Sequence, residues 1–305
     1  MPLTIQKLSR YQFPWKRIAI VSSLLLLNAC GISDARNFGS LHLLLGTPSP
    51  ASPKPENAND YLMLKRQYAL SYNNSKGTPN WVSWQLNASW MGEVDRCKSF
   101  SPDSTLPPGF QAVLPTDYTG SGFSRGHMTR SYDRSATEAD NCATFLMTNI
   151  VPQTQDNNEG PWLELENLAK DLAEEGRELY IIAGPLGQGG TGLQGRKLTI
   201  GKKNKITVPA QVWKIVVVME KPGLGPRNVT ANTRVIAVNM PNRVGIKNKS
   251  YRDYLTTVDE LEQQTGYDFL SDVPKDVQAV IEARKDGLDG KLTNSWILPQ
   301  TSPTP

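Results

Sequence analysis

The sequence predicts an α+β fold with a mainly antiparallel sheet. Strand-like segments outnumber helical ones, few helices fall between successive strands, and two early strands are separated only by a turn-rich stretch. Those two are Tyr68–Tyr72 and Trp81–Leu86, which alternate apolar and polar residues, with Asn73-Asn74-Ser75-Lys76-Gly77 marking a hairpin between them. Thr144–Thr148 is a short apolar segment and reads as a further strand. Leu179–Ala183, Trp213–Val218 and Arg234–Val238 are richer in Val and Ile and read as buried strands.

Two helices stand out. From about Trp162 to Glu175, apolar residues fall at Leu165, Leu168, Ala169, Leu172 and Ala173, the spacing of one helical face, and Gly176 ends the pattern. Thr257-Val258-Asp259-Glu260 is a capping box that opens a second helix stopping near Gly266.

The 305-residue chain begins like an exported protein. Lys7, Arg10, Lys16 and Arg17 precede an apolar run, Ile18–Leu27, interrupted only by Ser22 and Ser23. That run is well short of the ~20 residues a bilayer-spanning anchor needs, so residues 1–30 read as a signal peptide. Leu27-Asn28-Ala29-Cys30 resembles a bacterial lipobox, with Cys30 as the acceptor of lipid; simple cleavage nearby, after Ala35, is the alternative. The expected location is therefore periplasmic, extracellular or membrane-anchored through Cys30. Residues 31–60, rich in Pro, Ser, Ala and Asn, read as a spacer, residues 61–284 as one globular domain, and residues 285–305 as a polar tail.

Charge and composition exclude several classes. The full chain has 33 basic and 29 acidic residues, and the four basic residues of the signal leave 29 against 29. Bulk charge thus gives no sign of a nucleic-acid partner. After the signal only Cys97, Cys142, His42 and His127 remain, too few for a zinc finger or a zinc protease. Export permits a Cys97–Cys142 disulfide, and two free thiols are equally compatible with the sequence.

The chemistry concentrates between Gly120 and Lys170. In Ser124-Arg125-Gly126-His127, an extended chain projects Arg125 and His127 to one face. A guanidinium beside an imidazole suits a phosphodiester, one binding the anion and the other moving a proton. Asp156-Asn157-Asn158 can offer oxygen to a hard cation, or simply cap a helix. Glu166 lies on the helix that follows, where a solvated surface role is the ordinary one. Gly122-Phe123-Ser124-Arg125-Gly126 also fits the nucleophile elbow of acyl hydrolases. The flanks argue against it: the preceding residues are turn-like, no apolar helix follows, and no histidine lies beyond His127.

These strings together, Arg125–Ser131 with Asp133-Arg134, Asn141–Asn149 and Pro152–Asn158, resemble the sugar-non-specific DNA/RNA endonucleases, the ββα-metal (His-Me finger) nucleases whose signature is Asp-Arg-Gly-His. The similarity extends from about Tyr61 to Glu282. The resemblance implies a ββα-metal fold and hydrolysis of DNA and RNA to 5′-phosphate products with one Mg²⁺ (or Mn²⁺). It implies His127 as general base, Asn158 as the direct metal ligand, Glu166 as the holder of a metal-bound water, Arg96 as a phosphate contact, Arg125 as electrostatic support and Lys170 as a further substrate contact.

Three residues depart from the family pattern, Ser124, Lys170 and Pro161. Ser124 stands where the signature has Asp, which removes a carboxylate from the surroundings of the metal. Lys170 stands where Arg is usual, which keeps the charge but loses the fork. Pro161, tolerated only in a first turn, predicts a helix starting no earlier than Asn157, with Asn158 at or near its cap. Ser124 also leaves a second reading: an exported nucleic-acid-binding homologue with weak or lost catalysis.

Overall fold

The computed structural model describes residues 39–202 and 205–287. The signal segment with Cys30, and the tail beyond Gly287, lie outside these residues.

The framework is a seven-stranded antiparallel sheet in the order β1-β2-β3-β6-β11-β12-β13. Its strands are β1 (Tyr61–Leu64), β2 (Ala69–Asn73), β3 (Thr78–Leu86), β6 (Glu178–Leu186), β11 (Gln211–Met219), β12 (Arg234–Pro241) and β13 (Leu255–Thr256). β2 and β3 form the expected hairpin around Asn74–Gly77. The three apolar segments predicted as buried strands are the central strands β6, β11 and β12.

Because side chains alternate across a strand, each central strand feeds two cores. On β11, Val212 and Val216 pack with Trp84, Trp162 and Leu165 on one face. Trp213, Ile215 and Val217 pack with Val258, Leu261, Phe269 and Ile281 on the other. The first face carries α3 (Pro161–Glu174); the second carries α4 (Val258–Thr265) and α5 (Lys275–Ile281). α4 starts on the expected capping box at Thr257 and ends on Gly266 in the left-handed region, at φ 74°.

A separate two-stranded ribbon, β4 (Ser124–His127) with β5 (Ile150–Gln153), lies outside the large sheet, its strands joined through α1 (Glu138–Ala143). It runs into the short helix α2 (Gln155–Asn158) and then α3. Two small pairs complete the described strands: β7 (Gly190–Gly192) with β8 (Gly195–Lys197), and β9 (Thr199–Ile200) with β10 (Ile206–Thr207).

Three expectations need correction. The stretch read as a spacer is folded from Ser40 onward: Leu43, Leu45 and Ala51 are buried in the core behind α4 and α5. Its prolines and serines disguise a few well-placed apolar residues. His42, in the same stretch, is buried, with Nε2 donating to the Arg66 carbonyl and Nδ1 accepting from the Gln85 amide. Thr144–Thr148 is not a strand; Thr144 ends α1 and Met147–Asn149 form a 3-10 turn. Its apolar side chains Phe145 and Met147 are buried all the same, so burial there does not come from sheet pairing. At the other end, the polar tail was drawn too early, since Asp286 still accepts two hydrogen bonds from Arg234.

Candidate active site

The site is built on the β4–β5 ribbon. Antiparallel register places His127 opposite Ile150, and Ser124 opposite Gln153. Gly126 is a glycine for a steric reason: a Cβ there would lie 2.7 Å from Cβ of Gln153 and overlap its amide. The Gln153 side chain crosses this gap and donates to Asn157 Oδ1, while Asn157 Nδ2 donates to the Pro241 carbonyl of β12. One buried asparagine thus ties the ribbon to the sheet.

This separates the two neighbouring asparagines. Asn157 is fully buried and its amide is used at both ends. Asn158 is half-exposed, and no hydrogen bond is made by its side chain among the described residues. Asp156 accepts from the Gly245 amide. Thr154, not Asp or Asn, caps α2. α3 begins at Pro161, so Asn158 closes α2 rather than capping the long helix. Gly160 joins the two helices under the crossing Lys247 backbone, whose carbonyl would lie 2.6 Å from any Cβ.

His127 sits between Phe100 and Phe145, with ring centroids at 5.3 and 4.8 Å. Its Nε2 is buried and has no hydrogen-bond partner. Burial, and then the Arg96 guanidinium, push its pKa down to about 3. Arg96 rests over the Phe145 ring at 4.8 Å and donates to Ser131 Oγ. The segment carrying Arg96 has no regular secondary structure; it is fastened by the disulfide Cys97–Cys142 to α1, with Cα atoms 5.0 Å apart.

Arg125 points another way, donating through Nε and Nη2 to the Pro115 carbonyl and lying over Phe100 at 5.2 Å. Its contacts position the loop and ring beside His127. Ser124 is half-buried and begins a strand, with no helix directly after it. The elbow geometry required of an acyl-hydrolase serine is therefore not present at this residue.

Glu166, one face of α3, meets two cations: Arg130 Nε is 3.6 Å from Oε2, and Lys214 Nζ is 3.6 Å from Oε1. Lys214 projects from β11 and is buried with its ammonium 3.9 Å from the centre of the Trp162 ring. Burial lowers its pKa and the Glu166 and Asp133 carboxylates oppose that shift. Asp133, fully buried, accepts from Trp84 Nε1; burial and then Glu166 raise its pKa to about 6.

Arg96 therefore links the site electrostatically: it acts on His127, and Glu166 and Arg130 act on it. Lys170 does not join them by contact, because its ammonium pairs with Asp171 at 3.2 Å and Glu174 at 3.4 Å along the helix. The cations beside Glu166 are instead Arg130 and Lys214, neither of which the sequence reading singled out. Arg130, three residues after His127, could have been found from its place in the motif. Lys214 carried one faint signal, a lysine inside an otherwise apolar strand segment.

An antiparallel ribbon ending in histidine and running into a helix pair that carries Asn158 and Glu166 is the ββα-metal nuclease fold. The crystal structure of EndoG in complex with EndoGI superposes with a TM-score of 0.65 at 24% identity, covering 80% of this chain and 96% of that chain. Residues 46–276 match the family model of the DNA/RNA non-specific endonucleases. A nuclease of Nostoc sp. is 54% identical over 81% of this chain and 86% of its own length. The human mitochondrial nuclease EXOG is 32% identical over 67% of this chain and 55% of its own length, and a Serratia marcescens nuclease is 25% identical over 73% and 79%. The chain belongs to the DNA/RNA non-specific endonuclease family. It is a nuclease, and nucleic acid is its substrate.

Proposed function

We propose that the protein is a metal-dependent endonuclease that hydrolyses DNA and RNA without sequence preference, leaving 5′-phosphate ends, with His127 as the general base. The observation that carries this reading is the buried, unpartnered imbalance at His127: Nε2 is sealed among aromatic rings with no partner, beside the Arg96 cation. Nδ1 is the ring nitrogen outside that buried set, and it takes the proton from the attacking water. Burial and the Arg96 charge both favour the neutral imidazole, the form that can accept a proton. A phosphodiester bound at Arg96 offsets the guanidinium charge and raises the basicity of His127 when the substrate is in place.

Arg96 and Arg130 hold phosphate oxygens. Contacts of this kind position the backbone and carry no sequence information, which accounts for broad substrate use.

The donor set fits a hard divalent ion such as Mg²⁺ or Mn²⁺. Asn158 keeps a free amide oxygen while its neighbour is fully committed, and Glu166 offers a carboxylate held in place by two cations. Such ions take few protein ligands and keep waters. When bound, the ion supplies charge stabilisation at the phosphate and the leaving 3′-oxygen. Asn158 would hold it directly and Glu166 would orient its water. Lys170 contributes at most a diffuse positive field on the approaching strand.

The test is digestion of plasmid DNA and of RNA by purified wild type and His127→Ala, with and without EDTA. Loss of cleavage in His127→Ala and in EDTA is expected. Wild-type rates from His127→Ala would end the general-base assignment, and cleavage unaffected by EDTA would end the metal assignment. A wild-type protein that binds both nucleic acids without cutting either would support the catalytically lapsed homologue.

Export is the proposed location, either with lipid attachment at Cys30 or with simple cleavage nearby. It rests on the basic and apolar pattern of residues 1–30. Mass spectrometry of the mature N-terminus distinguishes lipidated Cys30 from simple cleavage.

A further inference from the structure

On the sheet face opposite the catalytic ribbon, Asp259, Glu262 and Glu282 converge, each offering a carboxylate oxygen within 4.8 Å of the others. Asp259 and Glu262 lie one turn apart on α4, the spacing that puts two side chains on the same face. Glu282 follows the last residue of α5. The Asp259 amide donates to the Glu282 carbonyl, which holds the two helices in this register.

A second observation separates this group from an ordinary acidic surface. Glu282 is only 6% exposed, and its Oε1 is buried with no hydrogen-bond partner. A buried carboxylate without a partner is costly and is ordinarily paired or bound to metal. The nearby Lys275 does not supply the partner, since its ammonium donates to Gln278 and lies 3.8 Å from Asp268. Glu262 uses one carboxylate oxygen to accept from the Phe269 amide.

We propose that Asp259, Glu262 and Glu282 form a structural calcium site, distinct from the catalytic centre. Three carboxylates, two on α4 and one just past α5, grading from buried Glu282 through Glu262 to exposed Asp259, suit an ion that takes six to eight oxygens in flexible geometry and completes its shell with water. Mg²⁺, which demands a strict octahedron, fits such a mixed set less well. Bound calcium would fasten α5 to α4 and so lock the C-terminal end of the domain onto the sheet. Catalysis is carried by residues on the other face and does not need this ion.

The experiment is thermal unfolding of the chelator-treated full chain against added CaCl₂. It is run on wild type, Asn158→Ala, Glu282→Gln and Asp259→Asn. Asn158→Ala removes the proposed catalytic ligand, so any calcium response it keeps arises elsewhere. The expected result is a rise in Tm of roughly 5 °C at calcium a hundredfold above its Kd. The rise should be equal in wild type and Asn158→Ala, and lost in Glu282→Gln. Nuclease activity of Glu282→Gln in Mg²⁺ should equal wild type. If Glu282→Gln fails to fold, exposed Asp259→Asn carries the test, with the calcium response cut at least tenfold in apparent affinity. A calcium response that disappears in Asn158→Ala and survives in Glu282→Gln overturns the proposal. So does a Glu282→Gln protein that is more stable than wild type while neither responds to calcium, since that result means Glu282 is simply protonated. None of these outcomes bears on His127.

Discussion

The ammonium of Lys214 lies 3.6 Å from Glu166 Oε1 and 3.9 Å from the centre of the Trp162 ring, in a place where the lysine side chain is only 2% exposed. A cation this deeply buried must be compensated, and here a ring face and two carboxylates, those of Glu166 and Asp133, do so. The arrangement holds one oxygen of the Glu166 carboxylate while Arg130 faces the other.

Lys214→Met keeps the volume and removes the charge. It should lower stability, since breaking a buried pair costs about 3–5 kcal/mol. It should also raise the metal concentration for half-maximal activity by roughly 10–100-fold, the usual effect of losing a group that orients a ligand. Metal titrations of cleavage rate, at a temperature where the variant is folded, make the check. A destabilised variant with an unchanged titration midpoint would reduce Lys214 to a packing role.

Gly126→Ala places a methyl group where the Gln153 side chain lies. Gln153 must move and release Asn157, which loosens the ribbon that carries His127 from β12. The expected result is a loss of about 1–3 kcal/mol in stability, as for overpacking in general, with a far larger loss of activity than of structure. Circular dichroism and cleavage rates on the same sample test this. Full activity would show that the Gln153 bridge does not position the site.

Ser124→Asp restores the acid of the family signature at the start of β4. A serine hydroxyl can bind water but brings no negative charge. Activity should rise, by up to about 10–100-fold at limiting metal, with less effect at saturating metal. Lower activity at every metal concentration would mean that the site has adapted to serine.

Acid should weaken the fold through its two buried histidines. His42 and His127 are held to about 4 and about 3 in the folded chain, chiefly by burial, against about 6.5 when unfolded. The unfolded chain therefore takes up protons that the folded chain refuses. This contribution is complete above about pH 6.5 and is lost as the pH falls toward 4. His42 alone accounts for up to about 3 kcal/mol of it. Asp133, held up to about 6, works in the opposite sense and stabilises more on the acid side. Because Glu282, held up to about 8 chiefly by burial, acts in the same sense as Asp133, the readable quantity is the difference: urea unfolding at pH 7 and 4.5 should show His42→Gln losing less stability on acidification than wild type. An equal change in His42→Gln would show that the buried His42 ring does not contribute to the acid sensitivity.

By itself the sequence determined the central strands, the long helix, the capping box at Thr257 and the short list of candidate site residues from Ser124 to Glu166. Periodicity, capping and motif spacing are local, and each is complete within a few turns or strands of chain. Tertiary structure decided the rest. It made Asn157 a structural bolt and left Asn158 free, although the two are chemically identical neighbours. It turned Lys170 toward Asp171 and Glu174, and brought Arg130 and Lys214 to Glu166 from 36 residues before and 48 residues after it in the chain. It closed Cys97 on Cys142 and drew Leu43, Leu45 and Ala51 into the core from a Pro- and Ser-rich stretch that reads as a spacer. The physical reason is the same in each case: burial and ion pairing depend on which distant residue arrives opposite a side chain, and no local pattern encodes that meeting.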